Sequence, residues 1–265
     1  MLSIDFNLFD HNFCESTIYS NGPHPEYMNT ISSLFITFIG LNGLRKPYIS
    51  LLLALTYSCL SVNGILSFMY HYYNSIGYGL LDRMSMVLLA LNTTYIFVNN
   101  IKKIPLYKNN KYQSFYNIIT NLTIITYYTI LLTTAGLHKE ILFNVLFALF
   151  LVSIIIFMFI IKLFAKELCI SNNIMEIGWK GVRYIICSGI FWLTTEGLCH
   201  HFGFIKYLFG HVWWHIFVSY GGYLVSLVPQ YINLLSKIDD EMIFINYDIF
   251  GIPYLDYSRV HGSIV

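Results

Sequence analysis

Two histidines four residues apart stand at the head of a long apolar segment. His211 and His215 belong to the sequence GHVWWH, and the following residues 216–235 are predominantly apolar. Residues at i and i+4 share one face of a helix, so the two imidazoles can chelate a single metal ion. The apolar run is long enough to cross a bilayer. The alternative is a polar cluster at the membrane interface, with Trp213 and Trp214 in the aromatic belt.

Two other apolar segments carry polar residues close to their ends. His71 follows Ser67 by four residues, and Asp82 stands near the start of the next segment. Ionisable groups in a membrane interior are costly and usually functional. A catalytic zinc ion takes three protein ligands and keeps its fourth position for water. We therefore predict that His71, His211 and His215 bind zinc.

Asp82 and Ser67 are the predicted catalytic partners of this zinc site. Zinc lowers the pKa of its bound water and polarises a carbonyl group, which suits amide or ester hydrolysis. Asp82 can take the proton of that water, and Ser67 can hydrogen-bond the water or the oxyanion. As alternatives, Asp82 pairs with Arg83, although adjacent helical residues do not face each other, and Ser67 serves helix packing.

Composition places these residues in an integral membrane protein. Of the 265 residues, 56% are apolar and 11% are charged, whereas soluble domains carry about 25% charged residues. The formal net charge of +1 argues against a nucleic-acid partner. Without repeats or linkers, the chain reads as a single membrane domain over residues 1–265.

The apolar runs predict an all-α fold with seven transmembrane helices. They lie near residues 30–45, 48–71, 79–100, 114–135, 140–164, 180–200 and 211–235. The single domain then consists of an N-terminal segment over 1–28, a seven-helix bundle over 29–235 and a tail over 236–265. We expect the tail to be loosely ordered.

Basic residues alternate between the loops, and such residues favour the cytoplasmic side. Three loops are basic. The first contains Arg45 and Lys46, the second contains Lys102, Lys103, Lys108 and Lys111, and the third contains Lys162, Lys166, Lys180 and Arg183. The segment before the first helix has none. The N-terminus is therefore predicted to be outside or lumenal and the C-terminus cytoplasmic, which brings the five candidate site residues to one side and one depth.

This topology separates the five cysteines. Cys14 and Cys199 both fall on the outer side, where the compartment is oxidising. Cys59 and Cys187 fall within helices, and Cys169 is cytoplasmic. We predict a disulfide bond between Cys14 and Cys199.

The polar residues form a pattern that resembles a known group of enzymes. Ser-x3-His, an Asp eleven residues later, and His-x3-His at the last helix are typical of the CREST superfamily of membrane hydrolases. The alkaline ceramidases are the more similar branch. The fragments that carry this resemblance are Phe13-Cys14-Glu15, Glu26-Tyr27-Met28-Asn29-Thr30-Ile31-Ser32, Leu81-Asp82, Phe191-Trp192 with Cys199, and His211-Val212-Trp213-Trp214-His215.

The resemblance implies a seven-helix hydrolase that cleaves ceramide to a sphingoid base and a free fatty acid by attack of zinc-bound water. The zinc ligands would be the three histidines, with Asp82 and Ser67 in catalysis. It also implies a lumenal N-terminus, the same disulfide, ceramide and membrane lipids as partners, and residence in the endoplasmic reticulum, Golgi or another endomembrane.

Some members of that family bind calcium through the N-terminal segment. The matching positions here are Asn12, Phe13, Glu15, Thr17 and Glu26. Asn12 stands where Asp is usual and Thr17 where Asn is usual, and calcium affinity depends on ligand charge. The alternative is a solvated acidic loop. Arg83 and Thr195 also replace acidic residues of the family pattern, which leaves the preferred substrate open.

Two other functions fit the same residues. A lipid receptor or sensor would keep the zinc for structure, but its cytoplasmic domains should be larger than the short loops and tail found here. An esterase or phospholipase of the same superfamily would share every catalytic residue.

Overall fold

The computed structural model describes residues 13–18, 25–104, 112–137, 140–199, 201–237 and 243–257. Within these ranges the chain forms seven long helices, a short 3-10 turn at Cys14–Thr17, another at Ile205–Leu208, and one hairpin. The helices are α1 Tyr27–Leu44, α2 Leu51–Tyr73, α3 Ile76–Ile101, α4 Gln113–Gly136, α5 Glu140–Leu163, α6 Asn172–Leu198 and α7 Gly210–Leu235.

Four of these helices are long and apolar enough to cross a membrane. They are α2, α3, α4 and, from Ile141, α5. These spans agree with a membrane protein, since each offers the ~20 apolar residues that a bilayer requires. The helical class is therefore confirmed, while seven crossings and the orientation of the termini stay predictions.

Serine residues fix the starts of three helices. Ser50, Ser75 and Ser171 each accept a hydrogen bond from the backbone N–H three residues later. A side-chain acceptor at this position satisfies one of the backbone donors that a helix start leaves open. The cap at Ser171 starts α6 eight residues before the predicted residue 180. The hydropathy pattern missed this first part because Asn172, Asn173 and Glu176 make it polar.

Glycines allow the closest helix contacts near the site-bearing helices. The two most extensive helix contacts are between α6 and α7 and between α1 and α2. A Cβ atom at Gly181 would lie 2.6 Å from the carbonyl oxygen of Gly221, so neither position in this crossing tolerates a side chain. Small residues let membrane helices approach in this way. The crossing fixes α7, and with it two of the histidines, against α6.

The tail is more ordered than expected. Strands β1 (Ile243–Tyr247) and β2 (Pro253–Tyr257) pair antiparallel, and Leu255 is fully buried. Asp248 in the turn accepts hydrogen bonds from Lys46 Nζ at 2.6 Å and from Asn42 Nδ2 at 2.9 Å. The expectation of a loose tail is therefore wrong for residues 243–257, because apolar side chains and this ion pair dock the hairpin on the bundle.

Candidate metal centre

Three histidine side chains meet where the end of α2 faces the beginning of α7. The ring centroids of His71 and His211 lie 4.9 Å apart, those of His71 and His215 5.3 Å, and those of His211 and His215 4.6 Å. One ligand atom of each histidine lies within 4.8 Å of the other two, and all three side chains are buried. Across the described ranges, no other group of three metal-binding side chains comes this close. The predicted convergence of the histidines is thus observed.

The ends of the helices hold these residues in place. α2 ends two residues after His71, and Asn74 takes the left-handed conformation with φ 48°. Its backbone N–H donates to the carbonyl of Tyr70 at 2.7 Å. Left-handed residues commonly close a helix, and Asn adopts this conformation more readily than most residues. Because α3 starts at Ile76, the tight turn brings its first turn back beside the end of α2, where a Cβ atom at Gly79 would lie 2.7 Å from the ring of Tyr70.

His71 is held by a buried carboxylate. Its Nδ1 atom lies 2.6 Å from Oε2 of Glu26, which is fully buried at the start of α1. The backbone N–H of Glu26 also donates to the carbonyl of His71 at 2.9 Å. With the Nδ1 hydrogen donated to the carboxylate, the lone pair of Nε2 is available for a metal ion.

His215 is held by hydroxyl groups of α1. Its Nδ1 lies 2.8 Å from Oγ of Ser32 and 3.4 Å from Oγ of Ser33. The hydroxyl of Ser32 donates to the carbonyl of Asn29, so this oxygen accepts from the Nδ1–H of His215. This tautomer again leaves Nε2 for a metal ion.

His211 has a different kind of partner. The indole Nε1–H of Trp192 donates to its Nδ1 at 3.1 Å. An indole can only donate, so the lone pair of Nδ1 is engaged. To bind a cation beside the other two histidines, His211 would have to release this contact or turn its ring.

The three histidines fit a zinc site. Buried imidazoles suit zinc, whereas calcium and magnesium prefer oxygen ligands. Two of the three also carry the hydrogen-bonded outer partner that orients zinc-binding histidines in proteins. The donor set therefore agrees with zinc in type, number and support.

Asp82 and Ser67 line the same cavity as His211 and His215. The cavity has a volume of about 540 Å³ and is bounded mostly by apolar side chains. Asn63 Nδ2 donates to Oδ1 of Asp82 at 2.9 Å. The hydroxyl of Ser33 donates to the carbonyl of Asn29 at 2.8 Å, and its Oγ lies 3.1 Å from Oγ of Ser67. Arg83, which is 9% exposed, also borders the cavity.

The disulfide brings the N-terminal segment over the metal centre. Cys14 and Cys199 are bonded, as predicted. Glu196, a cavity residue one turn earlier on α6, accepts the backbone N–H of Cys14 at 2.8 Å. The neighbouring ring of Phe13 lies 4.2 Å from that of His211 and 5.1 Å from that of His71, measured between centroids. Phe13 thus covers two of the three histidines.

The described residues of the predicted calcium site are engaged elsewhere. Glu15 accepts the backbone N–H groups of Met28 and Asn29 at 2.7 and 2.8 Å, which caps α1. The carbonyl of Phe13 closes the turn to Ser16. The hydroxyl of Thr17 donates to the carbonyl of Cys14. Glu26 contacts His71, and Asn12 lies outside the described residues, so the calcium site stays a prediction.

The supporting residues of the histidines were missed in the sequence. Glu26 was assigned to calcium, and Ser32, Ser33 and Trp192 received no role. A signal was present, because Glu26, Asn29 and Ser33 follow the i, i+3, i+7 spacing of one helical face. This row of polar residues on one face of an otherwise apolar helix indicates that the face points towards other polar groups.

Comparison with known proteins gives one family. The family model described as Ceramidase matches residues 10–256, nearly the whole chain. No curated protein matches the chain.

Proposed function

Since the chain belongs to the Ceramidase family, a group of membrane-associated hydrolases acting on the amide bond of ceramide, we propose that it is a zinc-dependent intramembrane ceramidase. The products would be a sphingoid base and a free fatty acid. The observation that carries the proposal is the buried triad of His71, His211 and His215, of which the last two line a mostly apolar cavity.

The three histidines would hold the zinc ion, with Glu26 and Ser32 orienting two of them. Bound zinc supplies a Lewis acid that polarises the amide carbonyl and makes hydroxide available near neutral pH. The surrounding burial excludes bulk water, which strengthens the interaction between fixed charges and the reacting group.

Asp82 is the proposed proton carrier. In the hydrolysis, oxygen of water adds to the amide carbon, and the C–N bond then breaks. The proton lost by water passes to the Asp82 carboxylate and from there to the leaving nitrogen, which departs as the amine of the sphingoid base. Asn63 holds one oxygen of Asp82 by a hydrogen bond, which favours one orientation of the carboxylate.

Ser67 is the proposed hydrogen-bond donor to the carbonyl oxygen as charge develops on it. Oγ of Ser67 lies 3.1 Å from Oγ of Ser33, and this contact anchors the hydroxyl group of Ser67. An anchored hydroxyl loses less freedom on binding the substrate than a mobile one.

The remaining features of the proposal concern the membrane. All seven helices cross the bilayer as one domain over residues 1–265, with the N-terminus lumenal and the C-terminus cytoplasmic. The proposed residence is in an endomembrane. The disulfide supports an oxidising compartment on the side of the N-terminal segment, since disulfides persist in such compartments and not in the cytosol.

The test combines metal analysis with lipid hydrolysis. Purified protein should carry about one zinc ion per chain and release sphingosine from ceramide in detergent micelles. His215→Ala should lose both zinc and activity, while His201→Ala, a change at an exposed histidine outside the cluster, should retain both. A zinc-loaded protein that hydrolyses an ester lipid but no ceramide would overturn the choice of an amide substrate.

A further inference from the structure

The cavity changes character along its length. His211 and His215 line its polar end with Asp82 and Ser67, whereas Leu60, Ile96 and Phe97 are among the residues that line the other part. The hydroxyl groups of Tyr57 and Ser226 in that part already have hydrogen-bond partners. The hydroxyl oxygen of Tyr57 lies 2.7 Å from Oγ of Ser226, and the Ser226 hydroxyl donates to the carbonyl of Tyr223. The far part therefore offers an environment for a hydrocarbon chain and not for a head group.

One face of α7 follows the cavity from end to end. The lining residues recur at helical spacing, as His211, His215, Val218, Gly222, Ser226 and Pro229. Gly222 is seven residues from His215 and from Pro229, so it lies about 10 Å along the helix from each. It is thus the midpoint between the metal centre and the far end.

Gly222 leaves space at that midpoint. A Cβ atom placed on it would meet no other heavy atom within 4 Å, unlike its neighbour Gly221, where the carbonyl of Gly181 is 2.8 Å away. Gly221 is required for packing, but nothing in the packing requires Gly222. A helix loses stability through a glycine, by about 1 kcal/mol relative to alanine, so the open position is not explained by the helix itself.

We propose that Gly222 determines the length of hydrocarbon chain that the cavity accepts. This inference rests on the proposed ceramidase function and adds a specificity-determining residue to it. A chain that reaches past Gly222 occupies the far half of the cavity, while a short chain ends before it. A larger side chain at this position would block binding of the long chain and leave binding of the short chain unaffected.

The experiment compares Gly222→Leu with wild type on N-hexanoyl and N-stearoyl sphingosine. We expect kcat/KM for the stearoyl lipid to fall about tenfold or more, with the hexanoyl lipid within about twofold. Gly222→Ala should give a smaller loss. Gly203→Leu, at an open glycine outside the cavity lining, should change neither. A second pair of substrates with a shortened sphingoid base shows which of the two chains passes Gly222.

A binding measurement separates this inference from the proposed function. In the His215→Ala background, both lipids are tested for thermal stabilisation of the protein, with and without Gly222→Leu. Selective loss of stabilisation by the stearoyl lipid supports the inference even if wild type hydrolyses no ceramide. Equal effects on both lipids, in binding or in turnover, would overturn it while leaving ceramide hydrolysis intact.

Discussion

The Nδ1 atom of His71 lies 2.6 Å from Oε2 of Glu26, and both side chains are almost completely buried. The contact joins the end of α2 to the start of α1 and selects the nitrogen of His71 that faces the other histidines. Glu26 is therefore a positioning residue for the metal centre.

Removing this carboxylate should weaken metal binding. We expect Glu26→Gln to reduce zinc affinity about 10- to 100-fold, the usual effect of losing an outer partner of a metal-binding histidine. Competition with a chromogenic chelator measures this directly. Glu176→Gln, an exposed change on α6, is the control, and unchanged zinc affinity in Glu26→Gln would contradict the assignment.

Replacing the indole partner of His211 should have the opposite effect. Trp192→Phe keeps an aromatic ring but removes the N–H that engages the lone pair of Nδ1. Because zinc would no longer compete with this hydrogen bond, zinc affinity should rise about threefold to tenfold. The same chelator competition applies. A fall in affinity would mean that Trp192 supports the metal-binding geometry of His211.

The disulfide should contribute to stability and to the cover over the site. Cys14 and Cys199 are 185 residues apart, and cross-links that close long loops restrict the unfolded chain most. The double variant Cys14→Ser, Cys199→Ser should unfold at a temperature several degrees lower, as followed by thermal denaturation in detergent. Cys187→Ser, at an exposed free thiol, should leave it unchanged.

Docking of the hairpin should fail in acid. Partial burial raises the pKa of Asp248, but hydrogen bonds from Lys46, from the backbone N–H groups of Ile252 and Phe250, and from Asn42 outweigh it and lower the pKa to about 2. The unfolded value is about 3.9, so the stabilisation is present above about pH 4 and is lost as the pH falls towards 2.

Hydrogen exchange of residues 243–257 measures this transition. Protection should decrease between about pH 4 and 2 in wild type, after correction for the intrinsic rates. Asp248→Asn should be less protected at neutral pH and should lack the transition, while Asp256→Asn should retain it. An unchanged transition in Asp248→Asn would assign it to another group.

The metal-binding residues could be predicted because their chemistry is local. His-x3-His places two imidazoles on one helical face whatever surrounds it, and the predicted membrane topology brings His71 to the same side. Partners such as Ser32 or Trp192 depend on how helices rotate against each other, which no spacing within one helix determines. The contact of Glu26 with His71 could not be predicted for the same reason, since a carboxylate suits calcium and histidine equally until its neighbours are known.

The hairpin and the start of α6 were missed for another reason. A search for ~20-residue apolar runs ignores ordered structure that is short or polar. β1 is only five residues long, and the first turns of α6 are polar. Side-chain hydrogen bonds through Asp248 and Ser171 contribute to both, and a hydropathy search does not register such bonds.

The bond between Cys14 and Cys199 divides the chain into a closed loop and an open arm. α1 to α6 lie between the two cysteines, whereas α7, with His211 and His215, lies beyond them. One backbone cut anywhere inside the loop leaves both fragments covalently attached. One cut between Cys199 and His211 would leave no covalent link between two of the three histidines and the rest of the molecule. The candidate metal centre therefore combines His71 inside the closed loop with His211 and His215 in an arm that the cross-link does not secure.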